Sequence, residues 1–371
     1  MLTPQDDYIG HQLATTFDHV ASSDQNWMER LWYTGHPIPA GDVIFDLGLG
    51  YYPNLNVMDA FAGVTLGDTQ HNIRMSRRLR PDPLTTRVGP LHIMVLEGLK
   101  RHRLTLAEND SGMSFDIEFN GSMNPHEEEH HFRRRNGRIV EDIARGQQLG
   151  RYSGWIKVAG QRFDLTPQSW CGQRDHSWGI RAELRSDESS PPVTHYPPFF
   201  YTWTTAQFAD HGLQWFFNER APGDFIYLSG EEVTPLGEKP DRRRRLVTIE
   251  HDIKWFDDPL GQNFKESDMK LTFANGTSRS VHVRALPARY YLKSGMYGGL
   301  RGWFHGTDKG ALHVEHDTWD LNDPQVRRVA RTLNDRVIEI RDGKALGYGI
   351  IEIGVSRGYP RYQTVQDFPV L

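Results

Sequence analysis

Trp170-Cys171-Gly172-Gln173-Arg174-Asp175-His176-Ser177-Trp178-Gly179-Ile180-Arg181 gathers an acid, an imidazole, two indoles and two guanidiniums into one short run. Its two glycines let the backbone turn or approach a neighbour closely. A solvated loop rarely carries two indoles, and a plain core strand rarely carries so many charges, because buried charges need partners. The run therefore reads as a strand at the edge of a pocket. In an extended strand Asp175, Ser177 and Arg181 share one face, and His176 and Trp178 share the other. A bulge at Gly179 would bring both sets into one pocket.

Outward from this run, the composition points to short strands and tight turns. The chain has 371 residues, 35 Gly, 21 Pro and 11% aromatics. That length predicts two domains. The net charge of −5 gives no electrostatic case for nucleic acid. The one strongly basic cluster, Arg242 to Arg245, reads as a solvated hairpin loop. Cys171 is the single cysteine, so no intrachain disulfide forms. The start lacks a basic, apolar secretory signal, and no window reaches the ~18 apolar residues of a membrane helix. A soluble, cytoplasmic protein is expected, and no pattern specifies an oligomeric state.

Residues 1–40 read as a helical segment: Ser22, Ser23 or Asp24 as cap, Trp27, Met28, Leu31 and Trp32 at helical spacing, Gly35 and Pro37 as stops. The rest reads as β. Asn136-Gly137, Asn275-Gly276 and Asp342-Gly343 are hairpin signals. Val247, Ile249, His251, Ile253 and Trp255 alternate with polar residues, and Leu213, Trp215 and Phe217 share a face. The Ser/Pro-rich stretch 185–198 is the best domain boundary. The expected organisation is all-β, with a first β-barrel over 41–190 and a second over 191–371, closure removing exposed sheet edges.

Three segments carry a family resemblance: Gln147-Gln148-Leu149-Gly150-Arg151-Tyr152-Ser153-Gly154, then Arg174 to Arg181, then Gly347-Tyr348-Gly349-Ile350-Ile351-Glu352. Over residues 40–356 the chain resembles the lipocalin-like two-barrel proteins related to hydroxyneurosporene synthase, the carotenoid hydratase. The Asp-His-Ser-Trp-Gly core marks this broad superfamily without choosing an activity. The resemblance implies tandem lipocalin- or calycin-like antiparallel barrels and a hydrophobic, often isoprenoid, small-molecule ligand. In the hydratase branch a carboxylic acid protonates an alkene and aromatic residues steady the cation, and Asp175 matches that acid.

The chemistry fits these residue types. A desolvated Asp retains its proton more readily, and each Trp face attracts a cation by about 0.5–2 kcal/mol. Asp175 is the candidate acid; Trp170, Trp178, Trp203, Trp215 and Trp303 are candidate walls, with Arg181 beside the acid. The plain alternative is that Asp175 pairs with Arg174 or Arg181 as a brace and the indoles are ordinary core. His176 is a candidate proton relay or a satisfied core histidine. Glu352, flanked by Ile351 and Ile353, is a second acid/base candidate, read as an inward acid inside a barrel. His313 and Glu315 share a face of Leu312 to Trp319, with His316 on the other.

His126-Glu127-Glu128-Glu129-His130 matches the H-E-x-x-H zinc pattern, but that pattern needs a helix, and its flanks here are turn-like. Cys171 near His176 reads better as a small buried residue than as a nucleophile. No dinucleotide fingerprint, Walker loop or G-x-S-x-G elbow is present, so no cofactor is implied. The expected function is a cofactor-independent hydratase, dehydratase or isomerase of a hydrophobic, terpenoid-like alkene or alcohol. A non-catalytic lipocalin-like carrier is the alternative, and a zinc hydrolase a distant third.

Overall fold

The computed structural model describes residues 2–11, 13–135, 137–181, 198–238, 243–258, 262–330 and 333–362. The first sheet contains β1 (Trp27–Pro37), β2 (Val43–Tyr52), β3 (Val57–Leu66), β4 (Thr69–Arg78), β5 (Arg87–Val88), β6 (Leu91–Glu97), β7 (Arg101–Leu106), β8 (Ser114–Gly121), β9 (His126–Glu127), β10 (His131–Arg135), β11 (Arg138–Val158), β12 (Gln161–Leu165) and β13 (Trp170–Arg181). The second contains β14 (Phe200–Gln207), β15 (Gly212–Glu219), β16 (Phe225–Val233), β17 (Arg244–Trp255), β18 (Phe264–Phe273) and β19 (Ser278–Tyr291). The chain then returns to the first sheet as β20 (Leu312–Asp320), forms the short helix α1 (Pro324–Ala330), and closes the second sheet with β21 (Asn334–Asp342) and β22 (Ala345–Val355).

The second sheet is a closed eight-stranded barrel, with β14 paired to β22. The first is a nearly closed fourteen-stranded sheet in the order β20-β4-β3-β2-β1-β13-β11-β8-β7-β6-β5, with β9, β10 and β12 paired to β11. Side chains fill both interiors: Tyr33, Phe45, Leu47, Phe119, Tyr152 and Trp170 in the first, Phe200, Trp215, Phe217, Ile338, Ile351 and Tyr359 in the second. Among the described residues no helix is long and apolar enough to cross a membrane.

Residues 27–37, expected as a helix, form β1, and the α-helix found among the described residues is α1. Leu31 and Tyr33 face the first core, while Arg30, Trp32 and Thr34 are buried on the opposite face. Burial of both faces makes a strand look helical, since large residues then fall at spacings of 3 and 4 as well as 2. Pairing on both sides, to β2 and β13, satisfies the backbone that a helix would have bonded internally.

The stretch proposed as a linker lies, up to residue 197, outside the described residues, as does Asn136 of the expected hairpin between β10 and β11. Strands do not divide cleanly near 190, because β20 lies far along the chain yet pairs with β4. Arg74, wholly buried, clamps that pair: its Nη2 lies 2.8 Å from Asp317 Oδ2 and 3.1 Å from Glu315 Oε1. Arg243, Arg244 and Arg245 are tied rather than loose; Arg244 grips Glu232 at 2.6 Å, Arg245 lies 3.1 Å from Glu129, and Arg243 donates to the Pro125 carbonyl. In β17 a bulge turns Val247 outward and Leu246 inward, and the expected alternation holds from Ile249.

The two barrels meet on the outer face of the first sheet. Trp32, Ile44 and Phe61 from the first pack against Trp203, Tyr290, Val337 and Ile350 from the second. Gly172 and Gly179 are conformational necessities here: a Cβ on Gly172 would lie 2.0 Å from the Thr34 carbonyl oxygen, and Gly179 has φ +127°.

Candidate functional site

β13 is the hinge of the geometry. Trp170 and Arg174 point into the first barrel, and Cys171, Gln173 and Asp175 point outward to the second. In register, Asp175 sits between Trp32 on β1 and Gln147 on β11. Its side chain retains 18% of its exposure, and Arg145 Nε lies 3.7 Å from its Oδ2. Burial pushes the Asp175 carboxyl above the usual carboxylate range, with Arg145 pulling the other way.

Arg145 binds a second acid more tightly. Its Nη1 lies 3.0 Å from Oε2 of Glu128, which is almost wholly buried. Glu128 also accepts from Trp203 Nε1 at 3.2 Å, from Tyr227 Oη at 3.3 Å, and from the Gln147 amide. Glu128 and Arg145 come from the first sheet, Trp203 and Tyr227 from the second, so one carboxylate ties the barrels together.

Glu352 is not inside a barrel. Ile351 and Ile353 occupy the second barrel's core, so Glu352 between them points out into the seam, beside its register partner Trp203. It is half-buried. Burial pushes its carboxyl up to about 7, while the Asp335 hydrogen bond, Arg145 and Arg181 act in the opposite sense. Asp335 and Asp46 lie behind it, both with no exposure, and each is pushed well above the carboxylate range, chiefly by burial. The open end is walled by half-buried Tyr201, Phe216 and Tyr297. Tyr201 feels the charges of Glu352, Asp335 and Arg181; Tyr297 feels Arg30, Asp175, Arg181 and Glu352. Trp32 and Trp203 meet edge to face at 5.4 Å beneath.

The expected residues thus separate. Asp175, Glu352, Arg181 and Trp203 come together in the seam. Trp170 lies in the first core, and Trp215 in the second, donating to Thr202 Oγ1. Trp303 donates to Glu315 Oε2 at 2.7 Å, which makes Glu315 part of the β4–β20 clamp. His313 flanks the Trp303 ring at 5.5 Å, and both it and His316 are exposed. His176 bonds Glu29 Oε1 at 2.7 Å on the face away from Asp175, beside the 43%-exposed Trp178. A period of two sends alternate residues to opposite faces, and no bulge rejoins them here.

Cys171 packs 3.7 Å from His36 Nε2. Burial pushes the thiol up to about 12 and the imidazole down to about 4, so both are neutral and the thiol is a poor nucleophile. His126 and His130 lie on an extended segment and go to different partners, Glu231 and Ser229 for the first and Asp142 for the second. That is not the one-faced helical pair of a zinc hydrolase.

Reading the sequence alone misses Glu128, Arg145, Asp46 and Asp335. Asp46 stood out as the one acid in the apolar run Val43 to Leu49. Glu128 sat in the acidic stretch read as a loop. Nothing local marked Arg145 or Asp335.

A family model matches residues 2–359. The chain belongs to DUF8625, a family of unknown function. No curated protein matches this DUF8625 chain significantly. Among solved structures it is similar to a protein from Nitrosomonas europaea described provisionally as an AttH, with 11% identity, 94% of this chain and 98% of that one covered, and a TM-score of 0.52. That likeness is one of fold. A kievitone hydratase from Nectria haematococca aligns with 13% identity over 88% of this chain and 89% of its own, with a TM-score of 0.47.

Proposed function

We propose that this protein is a cofactor-independent acid–base catalyst that hydrates, dehydrates or isomerises an alkene or alcohol held in the seam between its barrels. The observation that carries the reading is Glu352, a half-buried carboxyl pushed up to about 7, in the same seam as Asp175. At pH 7 such a group exists in both forms, which suits proton donation and recovery.

The neutral Glu352 carboxyl gives its proton to an alkene carbon, leaving a carbocation. Trp203, Tyr201, Phe216 and Tyr297 offer π faces to it. Water adds to the cation and loses a proton to the Glu352 carboxylate, directly or by way of Asp175, so one water is added and the acids end as they began. Dehydration is the reverse, and isomerisation results when a neighbouring C–H proton leaves instead. The aromatic rim and the motif resemblance favour an apolar, terpenoid-like body with its reacting end at the acids.

The test is incubation of terpenoid alkenes and tertiary alcohols in D2O with mass detection. Products carrying one deuterium on carbon are expected, and Glu352→Gln and Asp175→Asn are expected to abolish them. A second reading, a carrier, is favoured by the Glu128–Arg145–Asp175 chain acting as a brace. Saturable binding with no deuterium incorporated in either direction would establish the carrier and remove the enzyme.

A further inference from the structure

Asp46 comes from the first sheet and Asp335 from the second barrel; Tyr290, the register partner of Asp335, lies over Gly63, the register partner of Asp46, which brings the two acids together at the seam. Both are wholly buried, and their four oxygens stand without a hydrogen bond of good geometry. Thr34, opposite Asp46 in register, gives its one hydroxyl proton to the Phe45 carbonyl, and its nearness pulls the Asp46 carboxyl down against the effect of burial. Tyr290 reaches over the bare backbone of Gly63, Asp46's other register partner, but its hydroxyl is engaged by Ser294 and Asn72. Asp335 in turn meets Glu352, and the nearby cations, Arg145 and Arg181, act on Glu352 at the open end. Around the three acids stand Asp175, Tyr201, Tyr290 and Tyr297, and among the described residues no ion pair balances the inner two. Two carboxyls brought together away from water cannot both be charged, and a proton on one of them supplies the donor that their surroundings do not.

We infer that Asp46, Asp335 and Glu352 form a chain of carboxylic acids that bridges the barrels, keeps protons inside the folded protein at neutral pH, and resupplies Glu352 from its buried side. Asp335 is then a positioning residue. After Glu352 protonates substrate, Asp335 passes its proton to the Glu352 carboxylate and takes up the one on Asp46. The proton released by the attacking water returns by the same route, so no co-reactant is needed. The link to turnover rests on the function proposed above; the stored protons do not.

The whole protein decides this by infrared titration. The carbonyl band of neutral carboxyl groups is expected to persist at pH 7, to shift in D2O, and to weaken in Asp46→Asn and in Asp335→Asn. Denaturation at pH 7 with a pH indicator is expected to release about two protons more than the unfolded acids retain, and about one fewer in each variant. Absence of the band from wild type at pH 7 overturns the proposal, whether or not either variant folds. In the active enzyme, Asp335→Leu removes a donor to the Glu352 carboxylate and is expected to raise the pH midpoint of turnover by about one unit; an unmoved midpoint rejects the positioning role. If the band is present while Glu352→Gln keeps full activity, the catalytic reading falls and the proton chain stands. If the band is absent while Glu352→Gln is inactive, the reverse holds.

Discussion

Arg145 stands closer to Glu128 than to Asp175, 3.0 Å against 3.7 Å. The buried Glu128 holds the guanidinium, and Asp175 receives only its flank. One acid is therefore held by a close ion pair, while its neighbour keeps a raised proton affinity at the seam. Replacing Arg145 by Met should leave Glu128 buried without a cation, at a cost of about 3–5 kcal/mol. Urea unfolding measures this, and a loss under 1 kcal/mol would show that Arg145 does not anchor the seam.

The pH dependence of turnover follows from Glu352. Its neutral form is the proton donor, with a midpoint of about 7. kcat/KM should fall above that pH, approaching about tenfold per unit. A flat profile between pH 6 and 9 removes Glu352 as the acid.

Stability should fall as pH rises through the neutral range. Asp46, Asp335, Glu352 and Asp175 all have raised proton affinity in the folded state. At these four sites, between about pH 4, their unfolded value, and their folded midpoints, the native protein binds more protons than the unfolded chain, while His36 and His102, pushed down to about 4 by burial, act in the opposite sense below about pH 6.5. Each such excess proton removes about 1.4 kcal/mol per pH unit. Below about pH 4 the sign reverses, because Asp116 and Asp317, held low by Arg103 and Arg74, stay charged in the fold while the unfolded chain takes up protons there. Unfolding free energies from pH 7 to 9, above the range in which unfolded histidines take up protons, test this; a rise with pH there would contradict the buried neutral acids.

Arg74→Met should loosen β20 from β4. The guanidinium is wholly buried, but Glu315 and Asp317 keep partial exposure, so solvent screens part of the loss. A cost of about 2–4 kcal/mol is expected. Hydrogen exchange should quicken in Leu312–Asp320 before the eight-stranded barrel; uniform protection would deny β20 its dependence on the clamp.

Gly172→Ala tests the close approach of β13 to β1. The added carbon would lie 2.0 Å from the Thr34 carbonyl and 2.7 Å from the Gly35 Cα, both backbone atoms. Neither can yield without parting the strands, so about 3 kcal/mol or more of destabilisation is expected. Ordinary thermal stability in this variant would mean that the strands are further apart.

Period-two alternation, hairpin turns and the absence of a long apolar helix are local patterns, and they determined an all-β chain from sequence alone. They also separated Asp175 from His176 correctly, because side-chain direction in a strand depends only on parity. The same local reading failed where both faces of a strand are buried, as at Trp27–Pro37, because burial on two sides erases the alternation. It misplaced Glu352 for a related reason: Ile351 and Ile353 reveal a core on their side, while nothing in the run shows a second sheet on the other. Which acids meet, and which indoles line the groove, was decided only by tertiary structure. Asp46, Glu128, Asp175, Asp335 and Glu352 are scattered across the chain, and the packing of one barrel on another desolvates them together. Proton affinity is a property of that shared burial, so no single stretch of sequence carries it.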